Sequence, residues 1–419
     1  MRIRIILACG LALSLLGRAF AQEALPPNSA APTGSEVGRL DFQPQEVLTF
    51  APSDDDRWFT ADFLFGWIQG AKLPALVTTS PAGTDDDVAG VIGPGNATSV
   101  LLSGPVNRGV VPGFRFGAGF LYDNDYGLGA EAGFTFLPSQ SSRFFFTSDN
   151  PATTILARPY VDATSDDPAA ALVAFPDDVA TPLPVNEQIT GNISVTAKNG
   201  NFYGVNFDLS EHIGDHAGQR WEALFGYRFA YFNDALRIRQ HSVFPMNLSG
   251  INVVDRFDDF SSQNVFHGLD LGFRSTYTGK QWSLSLLGKF SPGNMSRTVD
   301  IRGRTARTYF TGATDSTPAG LYALSSNSGS HESHKWTVVP ELGANLNWNL
   351  RPNLALRLGY SAIVLPRVAR ADDQIDFNIN PTLIGAPANP AANPQSPAFQ
   401  SHQSHLLIQT LNLGVDLTF

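Results

Sequence analysis

Apolar and polar residues alternate along most of the chain with a period of two. The last nine residues, LNLGVDLTF, put Leu411, Leu413, Val415, Leu417 and Phe419 on one face and Asn412, Gly414, Asp416 and Thr418 on the other. That period belongs to an extended strand with one apolar side, not to a helix. RWFTADFLFGWIQG repeats it with Phe59, Ala61, Phe63, Phe65 and Trp67, and GFRFGAGFLY with Phe114, Phe116, Ala118, Phe120 and Tyr122. GLGAEAGFTF, NFYGVNFDL, RWEALFGYRFAYF, HGLDLGFRSTY, KWTVVPELGANLNW and NLALRLGY follow the same rule, with aromatic residues at many segment ends.

The gaps between these segments alternate in length. Short turns are expected at 123–126, 198–201, 232–234, 278–280 and 349–352. Long polar stretches are expected at 71–111, 138–186, 212–219, 244–262, 304–334 and 366–404. The alternation requires 281–303 to be one strand. Its apolar parity changes there, from Trp282, Leu284, Leu286 and Phe290 to Val299 and Ile301, and a bulge at Pro292-Gly293 would account for the change. Short turns at one end and long loops at the other are the habit of outer-membrane barrels, and a soluble sandwich has no reason to sort its loops by end. The expected fold is all-β: a single transmembrane, up-and-down antiparallel β-barrel of about 12 strands (range 10–16), with short periplasmic turns and long extracellular loops.

In such a barrel the apolar face meets lipid and the other face lines the lumen. A charge facing lipid at mid-bilayer costs about 2 to 4 kcal/mol, so charged residues are expected inside. The expected lumenal acids are Asp62, Glu131, Asp208, Glu222, Asp270, Asp300, Glu341 and Asp416. The expected bases are Arg115, Arg228, Arg237, Arg239, Arg274, Lys289, Arg302 and Arg357. Opposed patches of this kind either filter polar solutes through water or close the lumen as a salt-bridge ladder. The apolar end of the chain makes sense where the last strand pairs with the first. Asn412, Gly414, Leu417 and Phe419 also look like the C-terminal signal read by the barrel assembly machinery.

The first residues add an address. Arg2 and Arg4, an apolar run from Ile5 to Leu16 and Ala19-Phe20-Ala21 read as a secretory signal peptide over 1–21, cleaved after passage through the secretion translocase. Residues 22–56 read as a flexible periplasmic lead-in and 57–419 as the barrel. Cleavage would remove three of the 28 bases and none of the 38 acids, moving the formal charge from −10 to −13. It would also remove Cys9, the only cysteine, so no disulfide supports the mature chain. The acidic balance argues against nucleic acid as a partner. Outer-membrane lipid and small polar solutes are the expected partners, and the oligomeric state stays open.

Enzymatic signatures are weak. His212 and His216 have the spacing of helical zinc ligands, but Gly214 lies between them in a polar stretch. His331/His334 and His402/His405 are pairs of the same kind, and no metal site or cofactor is expected. Ser262 and His267 could belong to the catalytic set of a barrel lipid hydrolase, yet every loop supplies Ser and Asp, so no catalytic residue is assigned. Passive passage of small polar solutes is the favoured role. The alternative is a non-conducting structural or surface-binding barrel.

WSLSLLGKFSPGN at 282–294, VVPELGANLNWNLRPNLALRLGY at 338–360 and DDQID at 372–376 resemble the putative β-barrel porin family, type seven, of bacterial outer membranes. The looser similarity runs from Trp58 to Phe419. Ala371-Asp372 stands where that family commonly has Pro-Gly, and Leu365-Pro366 replaces a more polar pair. The resemblance implies an outer-membrane location and a porin role, with no site residue to carry over.

Overall fold

The computed structural model describes residues 57–123, 127–149, 153–176, 188–216, 218–244 and 250–419. The expected signal peptide and lead-in lie outside the described residues. The chain opens with β1 (Arg57–Ile68), β2 (Lys72–Thr79), β3 (Ser99–Pro105), β4 (Val111–Asp123), β5 (Leu128–Leu137) and β6 (Gln140–Ser148). It continues with β7 (Leu156–Asp162), β8 (Pro168–Ala174), β9 (Thr190–His216), β10 (Gln219–Val243), β11 (Ile251–Thr278) and β12 (Trp282–Tyr309). The last strands are β13 (Thr314–Thr317), β14 (Gly329–Arg351), β15 (Leu354–Val368), β16 (Asn378–Ile379) and β17 (Ser404–Thr418). Two 3-10 turns, Asp372–Gln374 and Pro381–Leu383, lie between β15 and β17.

Twelve strands share one antiparallel sheet, and ten of them close a ring: β1, β4, β5, β9, β10, β11, β12, β14, β15 and β17. Closure comes from β17, which pairs with β15 on one side and with β1 on the other, from Trp58↔Thr418 to Ile68↔Ile408. The backbone N–H of Phe419 donates to the Arg57 carbonyl at 3.0 Å, so the apolar terminus is tied into the wall. The other two strands pair only with extensions of the ring, β6 with the upper part of β9 and β13 with that of β12.

The ring's outer face is apolar where it meets hydrocarbon. Phe114, Phe136, Tyr203 and Tyr231 stand side by side on four adjacent strands, with ring centroids 5.5, 5.1 and 5.7 Å apart, and form an aromatic girdle. A tilted strand needs about 9 to 11 residues to cross a bilayer. β1, β4, β5, β15 and β17 have 10 to 15 residues, whereas β9, β10, β11, β12 and β14 have 23 to 28. Half of the ring therefore rises beyond the membrane as a curved wall. Against its inner face packs a second sheet of five strands, with β7 paired to β2, β8 and β16, and β3 at one edge.

Two expected turns are not turns. Lys198–Asn201 and Phe232–Asp234 lie opposite each other inside β9 and β10, where the register shifts between Phe232 and Asp234. The Asn233 side chain accepts the N–H of Asn201 at 3.0 Å, and Gly200 lies so close to Asn233 that no side chain would fit. This is a β-bulge, and its Asn and Gly residues imitate hairpin chemistry. Conversely, 212–219 is not a long loop: β9 runs to His216 and a tight turn with Gly218 at φ 79° leads into β10. The expected loops 244–262 and 304–334 are likewise shortened, by β11 starting at Ile251, β12 running to Tyr309 and β14 starting at Gly329, and the alternation of ends stays intact.

The parity change near Pro292 has another cause as well. β12 pairs with β14 in unbroken register from Trp282↔Trp348 to Ile301↔Gly329, so no extra residue is inserted. Odd positions face inward throughout; what changes is the surroundings. Below Pro292 lipid lies outside and polar groups lie inside, while above it water lies outside and an apolar core lies inside.

Closure at the β1–β17 seam requires Gly414, because a Cβ there would run into the Ala61 carbonyl and the Asp62 carboxylate. Gly414→Leu is expected to cost about 2 kcal/mol or more. It should cut the fraction of heat-modifiable folded barrel on cold SDS gels by more than half, whereas the lipid-facing Leu413→Ile change should leave that fraction unaltered.

Candidate functional site

Strand parity sends twelve of the sixteen expected charges into the membrane-embedded lumen, where they form networks across strands. Lys289 Nζ lies 2.5 Å from Asp208 and 3.0 Å from Asp270, and Ser291 Oγ donates to Asp270 at 2.7 Å. Arg228 reaches Asp270 at 3.1 Å and also pairs with Glu341. Arg274 donates to both oxygens of Glu131 at 2.6 and 2.7 Å and meets Glu222 at 3.2 Å. Arg357 holds Asp416 at 2.8 Å and lies 3.8 Å from Asp62. Arg115 instead donates to hydroxyls, Thr135 at 3.1 Å and Ser361 at 2.8 Å. Arg220 joins the set through Glu222 at 3.1 Å; its place at a strand start, beside an expected loop, kept it from being recognised in the sequence.

Most of these groups, though not Asp62, Asp208 or Asp270, line a cavity of about 460 Å³ together with Trp58, Thr60, Asn206, Asn345 and Asn347. Its lower members, Trp58, Asp416 and Thr418, stand at the end of the ring that carries the short turns, and its upper members are Phe202, Ala230, Val339 and Ile363. There an apolar layer begins. Leu64, Ile68, Leu137, Phe202, Phe232, Phe266, Met295, Val339, Leu365 and Leu406 are buried against one another, with contributions from nine of the ten ring strands. The layer stands at the height of the outer girdle, since Leu137 adjoins Phe136, Phe202 adjoins Tyr203 and Phe232 adjoins Tyr231. It forms a septum across the lumen.

Above the septum the segment after β15 is fastened to the wall. Arg370 lies over the Phe232 ring at 5.5 Å, pairs with Asp234 at 2.5 Å and donates to Asn199 at 3.1 Å. Asp234 accepts the N–H of Ala371 at 2.9 Å and the hydroxyl of Ser262, which also donates to the Ala369 carbonyl at 2.8 Å. Asn264 exchanges two hydrogen bonds with the Ala369 backbone, at 2.7 and 3.0 Å. Asp372 accepts the N–H of Lys72 at 2.7 Å, which ties this latch to the start of β2. The DDQID motif thus lies in the latch, with Asp372 and Gln374 both buried.

Higher still, Leu73, Leu76, Val77, Leu156 and Val173 of the small sheet meet Ile193, Val195, Leu236, Ile238, Phe260, Val299 and Ile301 of the wall in a dry core. Asp258 anchors this core by accepting three backbone N–H groups, from Leu321, Tyr322 and Ala323, at 2.8 to 2.9 Å. The same carboxylate holds the buried Arg158 at 2.6 Å.

Arg237, Arg239, Asp300 and Arg302 are not lumenal. They stand on the outer face of the wall above the girdle, Arg237 paired with Asp259 at 2.6 Å. The expectation failed because it treated the apolar side as the outside at every height, and in the extension the apolar side is the inside. Ser262 and His267 do not meet either: Ser262 faces the latch, while His267 faces outward and shares a 2.5 Å hydrogen bond with Tyr227. Asn412 is buried on the lumenal side and donates to Asn345 at 3.1 Å, whereas Phe419 is exposed and Leu417 pairs with Phe59.

A closed antiparallel ring with a lipid-facing aromatic girdle and a charged interior defines a transmembrane β-barrel of the outer-membrane type. Residues 58–419 match the family described as Putative beta barrel porin-7 (BBP7), and the chain belongs to that family. No curated protein matches it. Among solved structures it is similar to Ail, the attachment invasion locus protein of Yersinia pestis, at 9% identity and a TM-score of 0.22, covering 87% of this chain and 97% of that one. It is also similar to a major outer membrane protein from Thermus thermophilus, at 11% identity and a TM-score of 0.20, covering 86% and 99%. A FadL homologue of Pseudomonas aeruginosa aligns at 8% identity and a TM-score of 0.21, covering 87% and 91%. At TM-scores this low, no site or activity transfers from these structures to this chain.

Two outcomes follow from this geometry. Lys289→Met would leave Asp208 without its cation and Asp270 with Arg228 alone, at a cost of about 3 to 5 kcal/mol. Urea titration of the folded barrel should record that loss, and adding Asp208→Asn should recover part of it. In the latch, burial pushes the Asp372 carboxyl up to about 6 from the ordinary 3.8, against the opposing pull of Arg370 and with Asp234 and Asp373 adding to the rise. The latched state therefore binds the proton more tightly than the released state, so its stability falls as pH rises from about 4 to 6 and is level above that. Protection factors of residues 369–376, taken relative to intrinsic exchange at each pH, should be larger at pH 4 than at pH 7, and Asp372→Asn should remove most of that difference.

Proposed function

We propose that this barrel is closed at rest and serves as a membrane anchor for its loop-built headpiece, whose outer surface carries the function. The observation that carries this reading is the septum: apolar side chains from nine ring strands fill the lumen at girdle height, beneath a second dry core. An ion or polar solute crossing such a layer would lose its hydration without replacement, a barrier of several kcal/mol at least. The charged groups below the septum are largely neutralised in pairs, which supports a self-satisfied interior over a wet filter.

A second reading keeps the porin role. The cavity of about 460 Å³ below the septum is polar and would admit a small solute. Passage on to the other side would then require release of the 369–376 latch and displacement of Phe202 and Phe232. Purified protein in planar bilayers separates the two readings. The closed barrel gives no stable ohmic steps, and Phe202→Ala combined with Phe232→Ala gives at most brief openings. Stable ohmic steps from the unaltered chain would establish passive passage.

A further inference from the structure

Five arginines outside the lumen form a surface of their own. Arg143 on β6, Arg237 and Arg239 on β10, and Arg302 and Arg304 on β12 are all exposed on the outer face of the wall. The register aligns them: Arg143 is opposite Thr196, Thr196 opposite Arg237, Arg237 opposite Asp259 and Asp259 opposite Arg302. Two residues further along, Arg239 is opposite Phe257 and Phe257 opposite Arg304. Five guanidinium groups thus share a patch about 20 Å wide, in two rows about 7 Å apart. Arg237 has a partner in Asp259; among the described residues, the guanidinium groups of Arg143, Arg239, Arg302 and Arg304 have neither an ion pair nor a hydrogen bond. A chain with 38 acidic residues could have paired them all, as it pairs most of the cations in the lumen.

Height selects the ligand. Arg237 and Arg239 lie six and eight residues beyond the girdle residue Tyr231, which on strands tilted by about 35–45° places them about 15 to 20 Å above it. Phospholipid headgroups extend only about 6 Å from the hydrocarbon. The acidic sugars of a membrane glycolipid reach higher, and they would lie alongside a wall standing upright beside them. Planar guanidinium groups spaced along a flat sheet suit phosphate and carboxylate groups carried on successive sugars. We propose that this patch binds the phosphorylated core saccharide of glycolipids in the outer leaflet of the barrel's own membrane. The inference does not depend on whether the lumen conducts.

The test uses the full chain folded in detergent and titrated with three probes: rough lipopolysaccharide bearing its phosphorylated core, the corresponding lipid A without core, and the free core oligosaccharide. Core-bearing glycolipid should bind at least about tenfold more tightly than lipid A, with an advantage that shrinks as salt rises. Arg239→Gln/Arg302→Gln/Arg304→Gln should abolish that advantage without altering heat-modifiability, and the corresponding triple Arg→Lys variant, which keeps the charge but not the planar fork, should retain only part of it. Equal binding of core-bearing and core-free lipid, or an unchanged advantage in the triple Gln variant, would overturn the proposal. So would free oligosaccharide binding as tightly as the intact glycolipid, because the source would then be a soluble glycan.

Discussion

Backbone amides cannot enter hydrocarbon unpaired, and everything else in this molecule follows from how the chain meets that constraint. A sheet leaves two rows of unsatisfied N–H and C=O groups at its edges, each group costing several kcal/mol in lipid. Joining β17 to β1 removes both edges at once and leaves neither strand with an unpaired rim. It also divides space in two. Every residue of a ring strand then faces either the lumen or the outside, and the side chain at each position has to suit whichever medium it finds there.

That medium changes at the aromatic girdle. Below it, lipid faces Leu286 and Phe290 of β12, while Ser285, Lys289 and Ser291 face a polar lumen. Above it, Thr298 and Asp300 face water, while Met295 is buried in the septum and Val299 and Ile301 are buried against the headpiece. One strand in one register thus serves two opposite environments. The inversion lets five strands rise well beyond the bilayer without aggregating, because their outer faces are polar there and their inner faces are covered. It also gives the lumen a ceiling that a simple pore would lack, and the latch around Arg370 and Asp234 fixes the segment that rests on that ceiling.

Much of this could be read from the chain. Alternation located the ring strands, loop lengths sorted the two ends, and charge placement identified Lys289, Arg228 and Arg274 as lumenal together with their acids. The failures have specific causes. Lys198-Asn199-Gly200-Asn201 carries hairpin residues, yet only contact with Asn233 across the strand makes it a bulge. Arg237, Arg239, Asp300 and Arg302 were assigned inward because sequence parity reports which side is apolar and cannot say whether lipid or protein supplies the apolar contact. The latch was beyond reach because it joins Asp234, Ser262 and Asn264 to residues 369–372, more than a hundred positions away.

The reversal of inside and outside along β12 is the central claim, and single cysteines tested with a charged, membrane-impermeant thiol reagent probe it directly. With Cys9 absent, cysteines placed one at a time at 283, 285, 286, 295, 296, 298, 299 and 301 of the folded barrel sample both faces at both heights. Labelling at 283 and 285 but not 286, followed by labelling at 296 and 298 but not 295, 299 or 301, is the result this structure predicts. Labelling at the odd positions along the whole strand would mean that water fills the lumen from end to end, and would contradict it.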